Sequence, residues 1–175
     1  MESSAPSNPL TKPFQTAIQL GVVVADLEQS MEALTTVFGI GPFRVVDCPP
    51  PERAQQQKYF GEPAQFHTRQ AFADLGSIEL ELIQPLDGKS IWSDFLEEKG
   101  PGLHHLRFNV PDHQALTSYL VDKGMPPTQE GAGIREGSYW VNYATEKAVG
   151  FIIEVLQPAL GSDGRTPGAR HERPV

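Results

Sequence analysis

The chain has 175 residues, of which 14 are Lys or Arg and 22 Asp or Glu, for a formal net charge of −8. A hydrophobic fraction of 39% suits one globular domain, or two small modules sharing a core, and excludes a wholly disordered chain. Nucleic acid is not an expected partner, because an acidic field repels a polyanion and the basic residues are scattered, apart from Arg165, Arg170 and Arg173 near the C-terminus. No window approaches the ~20 apolar residues of a membrane helix. The start, Met1-Glu2-Ser3-Ser4-Ala5-Pro6, carries neither the basic region nor the apolar run of a signal peptide. The single cysteine, Cys48, cannot form an internal disulfide. A cytoplasmic protein without a membrane partner is the expectation.

In chain order, residues 1–14 read as a flexible extension rich in Ser, Pro and Asn. Gln19 to Asp26 is an apolar run of strand length ending at an Asp suited to cap a helix over Leu27 to Phe38, with Leu27, Met31, Leu34 and Phe38 at helical spacing. Gly39 and a strand from Phe43 to Val46 follow, then a Pro/Gln-rich loop from Pro49 to Ala64. Phe66 to Asp74 and Ile78 to Ile83 read as strands joined through a two-residue turn, Leu75-Gly76. Ser90 to Lys99 is an expected linking helix. His105 to Asp112 repeats the pattern of Gln19 to Asp26 and leads into a helix from His113 to Lys123. Strands near Ser138 to Tyr143 and from Val149 to Leu156 complete the second half, and 159–175, with His171, reads as a flexible tail.

Two local echoes make this a duplication. Gln19 to Asp26 matches His105 to Asp112, and Glu81-Leu82-Ile83-Gln84-Pro85 matches Glu154-Val155-Leu156-Gln157-Pro158, in the same order. The expected fold class is α+β: two βαβββ modules, about 15–86 and 102–158, linked by a helix over about 88–99 in one domain spanning 15–158. Their curved mixed sheets would close around a central metal-binding cavity.

The repeat places one polar residue on each matching strand: Gln19, Glu81, His105 and Glu154. Strand parity sets Gln19 with Gly21 and Val23, and Glu81 with Glu79 and Ile83. Four N/O donors meeting on a concave side suit Zn²⁺, Ni²⁺, Co²⁺, Mn²⁺ or Fe²⁺. Across the expected hairpin, numbers summing to 151 set Gln70 opposite Glu81. Arg53, Lys58, Tyr59, His67 and Arg69 lie in or after the long loop; a solvated loop is the default reading for them, and contact with an anionic or CoA-like substrate the alternative. Tyr139, Trp140 and Tyr143 alternate sides, so some line the cavity and others the core. Gln70, Arg69 and Tyr143 are the substrate-binding candidates. His104 is expected to face away from His105 and to be structural, and Trp92 and Phe95 to pack the linking helix. Cys48 has no evident catalytic partner.

About residues 16–158 resemble the vicinal oxygen chelate superfamily, which pairs βαβββ modules around a divalent metal. Ile78 to Leu86, the Phe95 to His105 stretch ending Gly102-Leu103-His104-His105, and Gly150 to Val155 are similar to methylmalonyl-CoA epimerases. That resemblance carries Glu81, His105 and Glu154 over as metal ligands. Gln19 stands where epimerases usually have His, so the Gln/Glu/His/Glu set also resembles human-type glyoxalase I. Some epimerases place a catalytic carboxylate on the strand holding Gln70, an amide that is no base at neutral pH.

Both relatives imply proton transfer next to a carbonyl, with Glu154 as base and Glu81 serving the opposite face. The expectation is therefore a metal-dependent isomerase, epimerase or lyase acting on a small-molecule carbonyl or acyl-thioester substrate, as a homodimer by the same likeness. The rivals are a glyoxalase I-like lyase on a glutathione hemithioacetal, an extradiol-type dioxygenase, and a non-catalytic drug-binding resistance protein. The dioxygenase favours two His and one carboxylate, and Gln19 takes the first His position.

Overall fold

The computed structural model describes residues 14 and 16–162. The expected extensions, 1–14 and 159–175, and with them Arg165, Arg170, His171 and Arg173, lie largely or wholly outside the described residues. Among the described residues no helix is long and apolar enough to cross a membrane.

Ten strands form one curved mixed sheet in the order β2-β5-β6-β1-β7-β10-β9-β8-β3-β4. The first module contributes β1 (Ala17–Val23), α1 (Leu27–Phe38), β2 (Arg44–Cys48), β5 (His67–Asp74) and β6 (Glu79–Asp87). The second contributes β7 (Gly102–Asn109), α3 (His113–Asp122), β8 (Pro127–Ala132), β9 (Tyr139–Tyr143) and β10 (Ile152–Gln157). The two join where β1 pairs antiparallel with β7, and each first strand pairs parallel with its own last strand, β1 with β6 and β7 with β10. The structure thus has the α+β duplicated architecture expected from the repeat. α2 (Ile91–Lys99) links the modules, capped by Ser90, whose Oγ accepts from Ser93 N.

The helices form where the sequence supplies both cap and apolar stripe. Asp26 accepts from Gln29 N at the start of α1, and Gly39 ends it at φ 68°. Leu27, Met31 and Leu34 pack on Leu20, Val22, Val24, Ala71, Leu80 and Leu82, covering the convex face of module one. Burying Leu27 completely contributes roughly 1.5–3 kcal/mol. Asp112 caps α3 in the same way, and Leu116 and Leu120 pack on Val110, Val141, Tyr143 and Val155. The second echo now has a physical reason. Gln84 Oε1 accepts from Leu27 N at 3.0 Å and Gln157 Oε1 from His113 N at 3.3 Å, so each repeat's Gln satisfies an unpaired N–H at the start of its helix.

Three expectations are corrected. The β5–β6 turn spans four residues rather than two: Leu75 N donates to Ile78 O, Gly76 sits at φ 92°, and Asp74 Oδ1 accepts from Gly76 N. Paired residue numbers therefore sum to 153, so Phe72 rather than Gln70 stands opposite Glu81, and Gln70 pairs with Ile83. The last strand starts at Ile152, because Glu146–Val149 turns into a short helix, α4, ended by Gly150 at φ 86°. The Pro49 to Ala64 segment holds a 3₁₀ turn (Pro51–Gln56) and the strands β3 (Lys58–Tyr59) and β4 (Glu62–Pro63). β3 crosses to the other module and pairs with β8, while Arg53 Nη1 donates to the carbonyls of Gly133 (2.6 Å) and Ile134 (2.8 Å). The insertion of module one thereby closes over module two.

Candidate functional site

The concave face is set by register. On β1, Gln19 pairs with Glu79 and Arg107, and Gly21 with Glu81 and His105. On β10, Ile152 pairs with His105 and Glu154 with Arg107, and Glu154 in turn faces Asn142 on β9. Strand alternation puts all of these on one side of the sheet. On that side lies a cavity of about 80 Å³ whose wall includes Glu81, Arg107 and Glu154, with Phe66, Trp92 and Trp140 forming its apolar part.

The core of the site is a contact that reaches across a strand. His105 Nε2 lies 3.2 Å from Glu81 Oε2 and 3.8 Å from Glu154 Oε2. β7 and β6 flank β1, so their side chains meet only over β1, about 10 Å from backbone to backbone. Gly21 makes that possible: a Cβ there would stand 2.1 Å from His105 Cε1. The contact with Glu81 is an ion pair rather than a directed hydrogen bond, leaving Nε2 without a hydrogen-bond partner.

A bulge in β7 shapes the other edge of the ring. Gly21 pairs with His105 and Val22 with Leu103, so His104 is the extra residue. It therefore does not turn fully away from its neighbour: His104 Nδ1 and His105 Nδ1 are 3.0 Å apart. His104 is 2% exposed and edge-on to Phe95. Burial, with the neighbouring His105 and Lys99 charges, pushes its imidazole well below the ordinary range, so it stays neutral. For His105, burial alone would lower the imidazole, but the carboxylates of Glu154 and Glu81 outweigh it and the net direction is upward. Burial raises Glu154, opposed by His105 and by the hydrogen bond from Asn142 Nδ2 to Glu154 Oε2 at 2.9 Å, and the net shift is upward.

Of the residues singled out in the sequence, Glu81, His105 and Glu154 come into contact, and Gln19 lies one row away on the same face. Gln19 is fully buried; its Nε2 donates to Glu79 Oε1 at 2.7 Å, and among the described residues its Oε1 has no hydrogen-bond partner. Gln70 lines the cavity. Arg69 does not: it shares the α1-facing side of β5 with Ala71 and reaches Glu28 (3.4 Å) and Asp47 (3.8 Å). Tyr143 does not either, being buried beneath α3 with its hydroxyl 2.7 Å from Thr117 Oγ1. Among the aromatic trio, Trp140 is the one on the cavity wall. Ala159 and Ser162, read as tail, also line it.

Sequence reasoning passed over Gly21, Arg107 and Asn142 and left Glu79 without a role. A glycine inside a strand signals a close approach, and Arg107 shares the parity of His105, so two of these signals were present. Asn142 depends on a register that α4 conceals. Cys48 lines the cavity as well, and burial, with the nearby Glu81 charge, pushes its thiol up to about 12 despite Arg44. At pH 8 its thiolate fraction falls about 1,000-fold below that of a thiol with a pKa near 9. Alkylation by iodoacetamide, followed by mass spectrometry, should be slower than for the unfolded chain by a factor of that order.

This arrangement, two βαβββ modules whose joined sheet carries a buried imidazole between two carboxylates, is that of a cavity-bearing duplicated α+β protein. Residues 18–143 match the family described as the Glyoxalase/Bleomycin resistance protein/Dioxygenase superfamily, and the chain belongs to it. Its fold is similar to a methylmalonyl-CoA epimerase from Mycobacterium tuberculosis (22% identity, 86% of this chain and 92% of that one, TM-score 0.61). A variant of the Streptomyces coelicolor epimerase, in complex with 2-nitronate-propionyl-CoA, is similar at 21% identity over 82% of this chain and 97% of that one (TM-score 0.59). A Bacillus halodurans protein titled hypothetical matches at 15% identity over 85% and 97% of the two chains (TM-score 0.61). A local stretch of 38 residues is 55% identical to the uncharacterized protein YqjC of Bacillus subtilis, spanning 22% of this chain and 27% of that protein's length.

Proposed function

We propose that the protein is a divalent-metal-dependent enzyme that moves a proton next to a carbonyl, an epimerase-like isomerase acting on an acyl thioester. The observation that carries this is the His105 imidazole held over Gly21 between Glu81 and Glu154, two carboxylates of the cavity wall. The acyl-CoA compounds bound by epimerases of the same fold support the thioester class.

Among the described residues no group of three or more His, Cys, Asp or Glu side chains already stands in metal-holding geometry. The chemistry of the donors nonetheless fits a cation. Gln19 Oε1 and His105 Nε2 are buried atoms without hydrogen-bond partners, and carboxylates that favour a proton on Nε2 favour a divalent ion in its place. Gln19, Glu81, His105 and Glu154 would hold it. When bound, the ion supplies a Lewis acid that lowers the barrier to removing a proton next to a carbonyl.

The chain's own residues do the rest. A His105 tautomer with its proton on Nδ1, 3.0 Å from His104 Nδ1, would keep the Nε2 lone pair for coordination. Glu154 takes the proton from one face of the carbon, and Glu81 returns a proton to the opposite face. Asn142 fixes the Glu154 oxygen it bonds, which sets the approach of the other. Phe66, Trp92 and Trp140 exclude water from the reacting carbon.

A second reading, capture of an aromatic ligand without chemistry, draws on that same apolar wall. One experiment separates them: Co²⁺ titration of the purified protein, then proton NMR of acyl-CoA thioesters and a glutathione hemithioacetal in D₂O. Stoichiometric Co²⁺ and deuterium uptake at the carbon next to the thioester are expected, and His105→Ala should lose both together. Full metal occupancy in His105→Ala would remove that residue from the ligand set. Uptake on the hemithioacetal alone would move the assignment to the glyoxalase reading.

A further inference from the structure

We propose that Glu79 is a positioning residue that fixes the Gln19 amide so that its oxygen, not its NH₂, is offered to the divalent cation; this rests on the metal reading above. Gln19 sits between Glu79 on β6 and Arg107 on β7, directly paired with each. All three are buried: Gln19 is 0% exposed, Glu79 1% and Arg107 7%.

An amide side chain is an ambiguous ligand. One branch is a lone-pair donor that a cation attracts, and the other an NH₂ group that a cation repels, and the two have nearly the same shape. A carboxylate only accepts hydrogen bonds, so the Gln19 atom 2.7 Å from Glu79 Oε1 is the NH₂ nitrogen. The planar amide then holds Oε1 on its other branch, where it is buried without a hydrogen-bond partner. Arg107 Nη2 lies 3.6 Å from the same Glu79 oxygen, as an ion pair. The contacts thus run along one row of the sheet, from Arg107 to Glu79 to Gln19.

The test is Co²⁺ binding, read by visible absorbance and chelator competition, in the wild type, Glu79→Gln, Gln19→Ala and the double variant. Glu79→Gln keeps the shape but can donate as well as accept, so Gln19 loses its fixed direction. The Kd for Co²⁺ should rise about 10- to 100-fold. Added to Gln19→Ala, the same change should raise it no further. An equal rise in the Gln19→Ala background overturns the proposal, because Glu79 would then act through charge or as a ligand itself. An unchanged Kd in Glu79→Gln overturns it too. Should that variant fail to fold by circular dichroism, Glu79→Asp takes its place, with a Kd between wild type and Gln19→Ala expected and a wild-type Kd contradicting. A folded wild type that binds no Co²⁺ defeats the metal reading itself, and the proposal with it; that result is distinct from the others.

Discussion

Replacing Gly21 with Ala should abolish Co²⁺ binding to the same extent as His105→Ala, although residue 21 contributes no donor atom. The added Cβ would stand 2.1 Å from His105 Cε1 and 2.4 Å from both ring nitrogens, so the imidazole cannot remain over β1. Packed cores respond to such overlap by moving the more mobile partner, here a side chain rather than two paired backbones, at a cost of about 1–3 kcal/mol. Once the ring swings away, the 3.2 Å contact with Glu81 is lost. A thermodynamic cycle isolates the cause. In the His105→Ala background nothing fills the space above residue 21, so Gly21→Ala should cost little stability there, and the two changes should be strongly non-additive. Chemical denaturation of the four proteins provides the measurement, and additive losses, or wild-type Co²⁺ affinity in Gly21→Ala, would contradict it.

That glycine also marks where sequence reasoning stops. The duplication was legible because each repeat carries its own physical necessities: an Asp to cap the helix, and a Gln three residues after the functional Glu to satisfy the helix's first N–H. Glu81 and Glu154 were found through that echo, since the cap at Gln84 and Gln157 keeps each Glu in a fixed place relative to its helix. Parity alone put Gln19 and Gly21 on one face. It did not say that the missing Cβ is what lets two strands that are not neighbours share a contact.

The substrate-side candidates depended on register, which is more fragile. A one-residue error in strand phase reverses every side chain, and turn geometry decides the phase. The four-residue loop at Leu75 shifts the pairing by two, which moves Gln70 away from Glu81 but leaves it on the cavity side. Tyr143 and Arg69 fall on the helix-facing side of their strands, where an aromatic ring or a long cationic stem finds helix surface to cover. Nothing in composition distinguishes those faces for Arg69, because its neighbours on both sides of the sheet include polar residues.

Glu154→Gln should reduce proton exchange by about 10²- to 10⁴-fold, the range a positioned general base contributes, for the acyl-thioester enantiomer whose proton faces residue 154, while raising the Co²⁺ Kd by less than about tenfold. The separation follows from what the substitution retains. The Gln carbonyl oxygen can still accept from Asn142 Nδ2, which bonds Glu154 at 2.9 Å, and it can still offer a lone pair to a cation, as proposed for Gln19. What it loses is the capacity to hold a proton. Glu81→Gln provides the contrast. Glu81 and Glu154 approach His105 Nε2 from opposite sides, Glu81 from β6 across β1 and Glu154 from the adjacent β10, so each is placed to serve one face of a carbon lying between them. Inversion needs both faces, whereas exchange with solvent needs one. Glu81→Gln is therefore expected to exchange deuterium into one enantiomer of an acyl thioester without converting it into the other, as followed by NMR and chiral separation. Unimpaired inversion in Glu81→Gln would assign all the proton transfer to Glu154, and unimpaired exchange of both enantiomers in Glu154→Gln would remove it as a base.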